Sequence, residues 1–276
     1  MKAKLIHILL GSASALMLLT AATASHADQV DTIKASGVLK CGMAAGYTPY
    51  SFVEDPKTRQ LVGYDVDMCN AIAQQLGVKA EPVFVTGATR ITDLQQGRTD
   101  IALAALTNTP ERARLIDFSQ NYMVTGVRIV VPASANVKSF ADLTGKRIAG
   151  TDGSNLEIKL AKVIQRPQVK VFPSPSTGFL AFEQGKVEAM AGDDTTLLGL
   201  MGPTGNKYTL LDQYVTKEQL GVGVRKGETR LLAAVNQTLT ELEKSGKAAG
   251  MFDKWFGQES KLKMKRSFVI GPYQAS

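Results

Sequence analysis

Hydrophobic positions along the chain change period again and again, from two or continuous to three-and-four, and each change marks an element boundary. The run "VLKCGM" (38–43) reads as a strand that breaks into the loop "AAGYTPYSF". "DPKTRQLVG" reads as a turn and short hairpin. In "DVDMCNAIAQQLG", Val66, Cys69, Ala73 and Leu76 recur at helical spacing before Gly77 stops the helix. "KAEPVFV" predicts a strand, and "TRITDLQQG" a short helix with Thr89 as N-cap and Gly97 as terminator. The nearly continuous apolar run "DIALAAL" (100–106) predicts a sheet strand covered on both faces.

The alternation restarts after "VPASANVKSFADLTG". Strand "GKRIAGT", helix "SNLEIKLAKVI", strand "VKVFP", helix "STGFLAFEQG" and strand "VEAMAGD" follow on short links. Strands and helices alternating in this way predict an α/β protein with mostly parallel sheet. The restart places a second lobe here. No Pro/Gly/Ser-rich linker separates the halves, so the crossings are read as strands: "VTGVRIVVP" outward and "QLGVGVRKG" back. The expected division is 28–126 with 222–276 as lobe 1 and 127–221 as lobe 2. A last long helix carries Leu231, Leu232, Val235, Leu239 and Leu242 along one stripe, and a short helix with Trp255 follows; both are assigned to lobe 1.

The first 27 residues stand apart. Lys2 and Lys4 precede an apolar stretch and a small-residue tract, the layout of a secretory signal peptide cleaved after Ala27 or Ala24. Removing it changes the chemistry left over. Both histidines, His7 and His26, go with it, and histidine-dependent metal sites, triads and pH switches are excluded. Losing the two lysines lowers the formal net charge of +7 by two. The basic tract "KLKMKR" lacks the interleaved aromatics of a nucleic-acid surface, so no nucleic-acid partner is expected. Cys41 and Cys69 would close a loop of roughly 28 residues if bridged, worth about 3 to 4 kcal/mol on the chain-entropy model. Two small buried hydrophobes are the other reading.

Candidate chemistry gathers where strands end, because the carboxyl edge of a parallel sheet leaves free N–H groups facing a crevice. Thr107, Thr109 and Arg112 follow the strand at 100–106. A guanidinium there can grip a carboxylate through two parallel hydrogen bonds. The plain alternative is a surface arginine paired with Glu111 or Asp117. "VEAMAG" ends in Asp193-Asp194, suited to an ammonium group or to capping the next helix. "TDGSNLE" (151–157) offers backbone amides near Ser154 and Asn155, or an ordinary turn. Tyr47 and Tyr50 could wall the site. No G-x-S-x-G elbow, phosphate-binding P-loop or dinucleotide fingerprint is present, and the cysteines are too few for a metal cluster.

Taken in order, "PYSFVED", "LVGYDVDMCNAIAQQLG", "TRITDLQQGRTDIALAALTNTPERARLIDFSQNY", "FADLTGKRIAGTDGSN" and "LGVGVRKG" resemble one family. It is the periplasmic solute-binding proteins of polar amino-acid ABC transporters, bacterial extracellular solute-binding protein family 3. The resemblance spans nearly all of the chain after the leader. It implies a type II periplasmic-binding-protein-like fold: two α/β lobes, two hinge strands and a ligand cleft between the lobes. It implies an amino-acid ligand, an inner-membrane permease as partner, a monomer in the periplasm, and neither cofactor nor metal.

By the same resemblance Arg112 binds the ligand carboxylate, Asp193 (Asp194 less readily) its ammonium, and Asn155 assists at the carboxylate. Tyr47 forms an aromatic wall, Thr107 a hydroxyl or backbone contact, and Ala105 a carbonyl contact to the ammonium. Arg90 resembles an arginine of members that take acidic amino acids, yet Ala44 stands where those members can carry another. Gly87 replaces an aromatic found in some cationic-ligand binders. A glutamate/aspartate-like or glutamine-like ligand is therefore expected. The alternative is an exported enzyme on the same scaffold, such as a dehydratase of small cyclic acids.

Overall fold

The computed structural model describes residues 28–202 and 207–274; the leader expected over 1–27 lies outside them. The chain there opens with α1 (Gln29–Ser36), capped by the Asp28 carboxylate accepting from Val30 N–H at 2.9 Å. There follow β1 (Val38–Ala44), β2 (Phe52–Val53), β3 (Leu61–Val62) and α2 (Tyr64–Leu76), the last stopped by Gly77 at φ 73°. Next come β4 (Lys79–Val85), α3 (Arg90–Gln95), β5 (Ile101–Ala102) and α4 (Pro110–Ala113). Thr89 precedes α3 without capping it; its hydroxyl accepts from Thr86 N–H instead.

A strand of 16 residues, β6 (Asp117–Pro132), carries the chain into the second half. That half holds β7 (Arg147–Thr151), α5 (Leu156–Ala161), β8 (Gln168–Phe172), α6 (Pro175–Glu183), β9 (Ala189–Asp193), α7 (Asp194–Met201) and β10 (Tyr208–Leu210). Strand β11 (Thr216–Val224) returns, and α8 (Thr229–Lys244) and α9 (Lys247–Trp255) follow.

Among the described residues, nine strands share one sheet in the order β4-β1-β5-β11-β6-β9-β7-β8, with β10 on β6. Its outer parts are parallel, β4-β1-β5 at one end and β9-β7-β8 at the other. The antiparallel pair β6–β11 runs between them, from Thr216 opposite Val127 to Val224 opposite Asp117, broken by irregularities around Gly221. The two halves are thus joined through a strand pair, which bends more readily than a packed layer.

Separate cores fill the halves. One gathers Leu39, Met43, Met68 and Ile72 with Leu231, Val235, Leu239 and Phe256 of the C-terminal helices and their exit. In the other, β6 alternates: Val127, Ile129 and Val131 face one cluster and Val130 the opposite one with Phe179, Phe182 and Tyr208. Cys41 and Cys69 form a disulfide between β1 and α2, with Cα atoms 6.4 Å apart and both residues fully buried. It settles the open choice at these cysteines in favour of the bridge.

Candidate functional site

The first half of the site rests on a backbone distortion. The expected strand 100–106 keeps only Ile101 and Ala102 in the ladder, because Ala105 adopts a left-handed conformation, φ 46°. Buried charge holds it there. Asp65, at the start of α2 and fully buried, accepts from Ala105 N–H at 2.9 Å and from the Tyr122 hydroxyl at 2.8 Å. Arg90 donates from Nη1 to the Ala104 carbonyl at 2.5 Å and to that of Ala105 at 3.3 Å. Burial raises the Asp65 carboxyl to about 6, against these donors.

Arg112 sits on α4, where the Thr109 hydroxyl accepts from its N–H and Pro110 occupies the first turn. It pairs with neither Glu111 nor Asp117; Asp117 is taken by Lys226 at 2.8 Å. The guanidinium is buried and donates to the Thr107 carbonyl and, across the cleft, to the Gly153 carbonyl, each at 2.9 Å. Burial and the charge of Arg90 lower its pKa to about 10, so it stays charged at neutral pH.

The second half supplies the opposite charge. Asp193 ends β9 and precedes α7 without capping it, leaving its carboxylate free of that bond. Asp194 is committed elsewhere, accepting from Thr125 at 2.6 Å, Tyr214 at 2.9 Å and Thr195 N–H at 2.7 Å. Burial and the neighbouring Glu218 charge push the Asp193 carboxyl far above the usual range, to about 7.

These groups face one cavity holding about 530 Å³ of atom-free space, part of it open to solvent. Tyr47, Arg90, Ala105, Thr107 and Arg112 line it from one half, Ser154 and Asp193 from the other. Asn155 does not belong to the wall. It takes φ 56° at the start of α5, and its side chain is exposed, because the left-handed turn directs Leu156 inward in its place.

Two charged wall residues were missed by sequence reasoning. Glu218 of β11 is buried and accepts from the Thr107 hydroxyl at 2.6 Å, Thr216 at 2.8 Å and Lys159 Nζ at 2.5 Å. Burial pushes its carboxyl up, but the Lys159 charge and these donors outweigh burial and hold it below the ordinary value. An acid immediately before the predicted crossing strand was the available signal for Glu218. Lys159 gave none, since "LEIKLA" reads as a helix with a solvated face.

The halves meet at the cavity rim. The Ser176 hydroxyl donates to the Gly46 carbonyl at 2.8 Å, and the Tyr50 and Thr195 hydroxyls lie 2.8 Å apart. A Cβ on Gly153 would lie 2.2 Å from the Gly87 carbonyl oxygen, and one on Gly87 2.3 Å from that of Asp152. An aromatic at Gly87 is sterically excluded from this closed arrangement.

Residues 39–258 match the model of the bacterial extracellular solute-binding proteins, family 3. The chain belongs to this family. Its fold is the two-lobe α/β architecture of solved amino-acid-binding proteins, and by family it is a solute-binding protein. The chain is 28% identical over 239 residues to the L-cystine-binding protein TcyJ of Escherichia coli (strain K12), covering 85% of this chain and 89% of that one. It is 28% identical over 242 residues to the glutamate/aspartate import solute-binding protein of Salmonella typhimurium, covering 82% and 79%. Among solved structures, an ancestral arginine-binding protein bound to arginine superposes with a TM-score of 0.74 at 33% identity, covering 80% of this chain and 99% of that one.

Family 3 relatives and structural neighbours are almost all binding proteins rather than catalysts, and the dehydratase alternative is set aside on that ground. No grouping of acids and cysteines able to hold a metal occurs among the described residues, and no described helix is long and apolar enough to cross a membrane.

Proposed function

We propose that the protein binds one L-amino acid of glutamine-like or glutamate/aspartate-like kind in the periplasm and delivers it, as a monomer, to an inner-membrane permease. Lobe 1 on this reading is 28–126 with 222–276, and lobe 2 is 127–221. One observation carries it: Arg112 and Asp193, on opposite sides of the hinge strands, line the same cavity. A zwitterion there gives each buried charge a partner and offsets the several kcal/mol that burying an ion costs. Arg112 takes the carboxylate, with Ser154 beside it; Asp193 takes the ammonium with the Ala105 carbonyl; Tyr47 and Thr107 complete the wall, and Arg90 favours an acidic or amide side chain. Because its contacts come from both lobes, the ligand stabilises the closed state over the open one.

Thermal unfolding in the presence of each of the twenty amino acids, and of cystine, tests the reading. The true ligand at about 100 times its dissociation constant adds about 2.7 kcal/mol of stability. A transition that none of them moves would end it.

A further inference from the structure

The cavity also carries wall groups that the zwitterion reading leaves unused. Val127, Leu156, Met190 and Leu197 give it apolar walls, and Lys159 and Thr196 are polar groups set among them. Thr196 lies in the first turn of α7, is 3% exposed, and its hydroxyl has no hydrogen-bond partner. Leaving a buried hydroxyl unpaired costs free energy, so a group supplied by a ligand has an opening here. Lys159 carries three donors, of which Glu218 occupies one.

What these groups can accept is restricted. Glu218 already takes hydrogen bonds from Lys159, Thr107 and Thr216, so little of its acceptor capacity is left for a ligand. A guanidinium or ammonium beside them would meet the Lys159 ammonium and would have to break that buried pair. An oxygen acceptor can take a hydrogen bond from the unpartnered Thr196 hydroxyl and from the remaining donors of Lys159.

We infer that Thr196 and Lys159 form a side-chain subsite that selects a ligand side chain ending in an oxygen acceptor, an amide carbonyl or a carboxylate, and disfavours a terminal cation. The inference rests on the amino-acid reading above. It also separates this chain from its arginine-bound structural neighbour.

Calorimetric titration with L-glutamine, L-glutamate, L-arginine and L-norvaline tests it, norvaline keeping the chain length of glutamine without the amide. Glutamine or glutamate should bind at least about tenfold more tightly than norvaline, the worth of one hydrogen bond to a well-placed donor. Arginine should be weaker than either. Thr196→Val should erase about tenfold of that preference, and Thr196→Ser, which keeps the hydroxyl, should retain it. Lys159→Met should weaken glutamate more than glutamine. Arginine binding most tightly, or a Thr196→Val protein with the preference intact, would overturn the inference. If another amino acid binds and none of these four does, the subsite falls and the amino-acid reading stands. If no amino acid binds at all, both fall.

Discussion

The two walls of the cavity are built on different principles. On the Arg112 side the polar groups are tied down before any ligand arrives: Asp65 and Arg90 fix the backbone at Ala105, and Arg112 already holds the Thr107 carbonyl. The Cys41–Cys69 bridge adds a covalent tie behind that wall. On the Asp193 side the groups are less committed. Asp193 caps nothing, Thr196 has no partner, and α5, which carries Lys159, is six residues long. On the proposed reading, one half is pre-organised to receive a carboxylate, and the other gains its missing partners only when the ligand supplies them. Pre-organisation lowers the cost of binding, whereas unmet groups give it selectivity.

The difference can be attacked from its rigid side first. Arg112→Ala leaves the ligand carboxylate buried without a cation, and calorimetry should show a loss of about 2 to 5 kcal/mol in binding free energy. Full affinity in that variant would remove Arg112 from its assigned place. Replacing both Cys41 and Cys69 with serine acts on folding: chemical denaturation should show about 3 to 4 kcal/mol less stability. Ligand affinity below the transition should hold steady, since neither cysteine lines the cavity. An equal fall in affinity would mean the bridge shapes the site and does not merely brace it.

Legibility in the sequence follows the same divide. Strand ends in a parallel sheet are predictable from apolar runs, and Arg112 and Asp193 were found through them. The distortion at Ala105 was hidden, because it depends on Asp65 and Arg90, charged residues whose burial a helical pattern does not announce. The stripe of α2 was read through Val66, Cys69, Ala73 and Leu76, the last three of which are buried, but Asp65, Met68 and Ile72 turn inward beside them. Asn155 was matched to a turn by position, yet one left-handed residue moved its side chain out to solvent. Lys159 and Glu218 meet across 59 positions of sequence, a contact that only the folded chain creates. Helix α1 and strand β10 escaped because eight and three residues are too short for periodicity to stand out.

Closure can be obstructed without touching a charge. Gly153→Ala places a methyl against the Gly87 carbonyl and, at φ 72°, also strains the backbone. Overpacking of this kind costs about 1 to 3 kcal/mol. The cost should fall on binding, because only the closed state brings the two residues together. Calorimetry should show the weakened affinity, and the ligand-free unfolding midpoint should move little. A large drop in that midpoint with affinity intact would mean the Gly87–Gly153 contact belongs to the fold itself.

The gentlest probe is the proton. Burial and Glu218 raise the Asp193 carboxyl to about 7 in the ligand-free site, so its neutral form takes over as pH falls below that value. Such a raised group adds stability below its unfolded value, and that stability is lost as pH rises through about 7. An ammonium ligand requires the ionised form, so binding must release the proton. Affinity should therefore weaken as pH falls below about 7, approaching tenfold, or about 1.4 kcal/mol, per pH unit. Calorimetry in buffers of differing ionisation enthalpy should register proton release near neutrality. Asp193→Asn should abolish it, whereas Thr196→Val should leave it in place. A pH-independent affinity would show that the less committed wall does not wait for its partner in the protonated form, and the contrast between the walls would then rest on Thr196 and Lys159 alone.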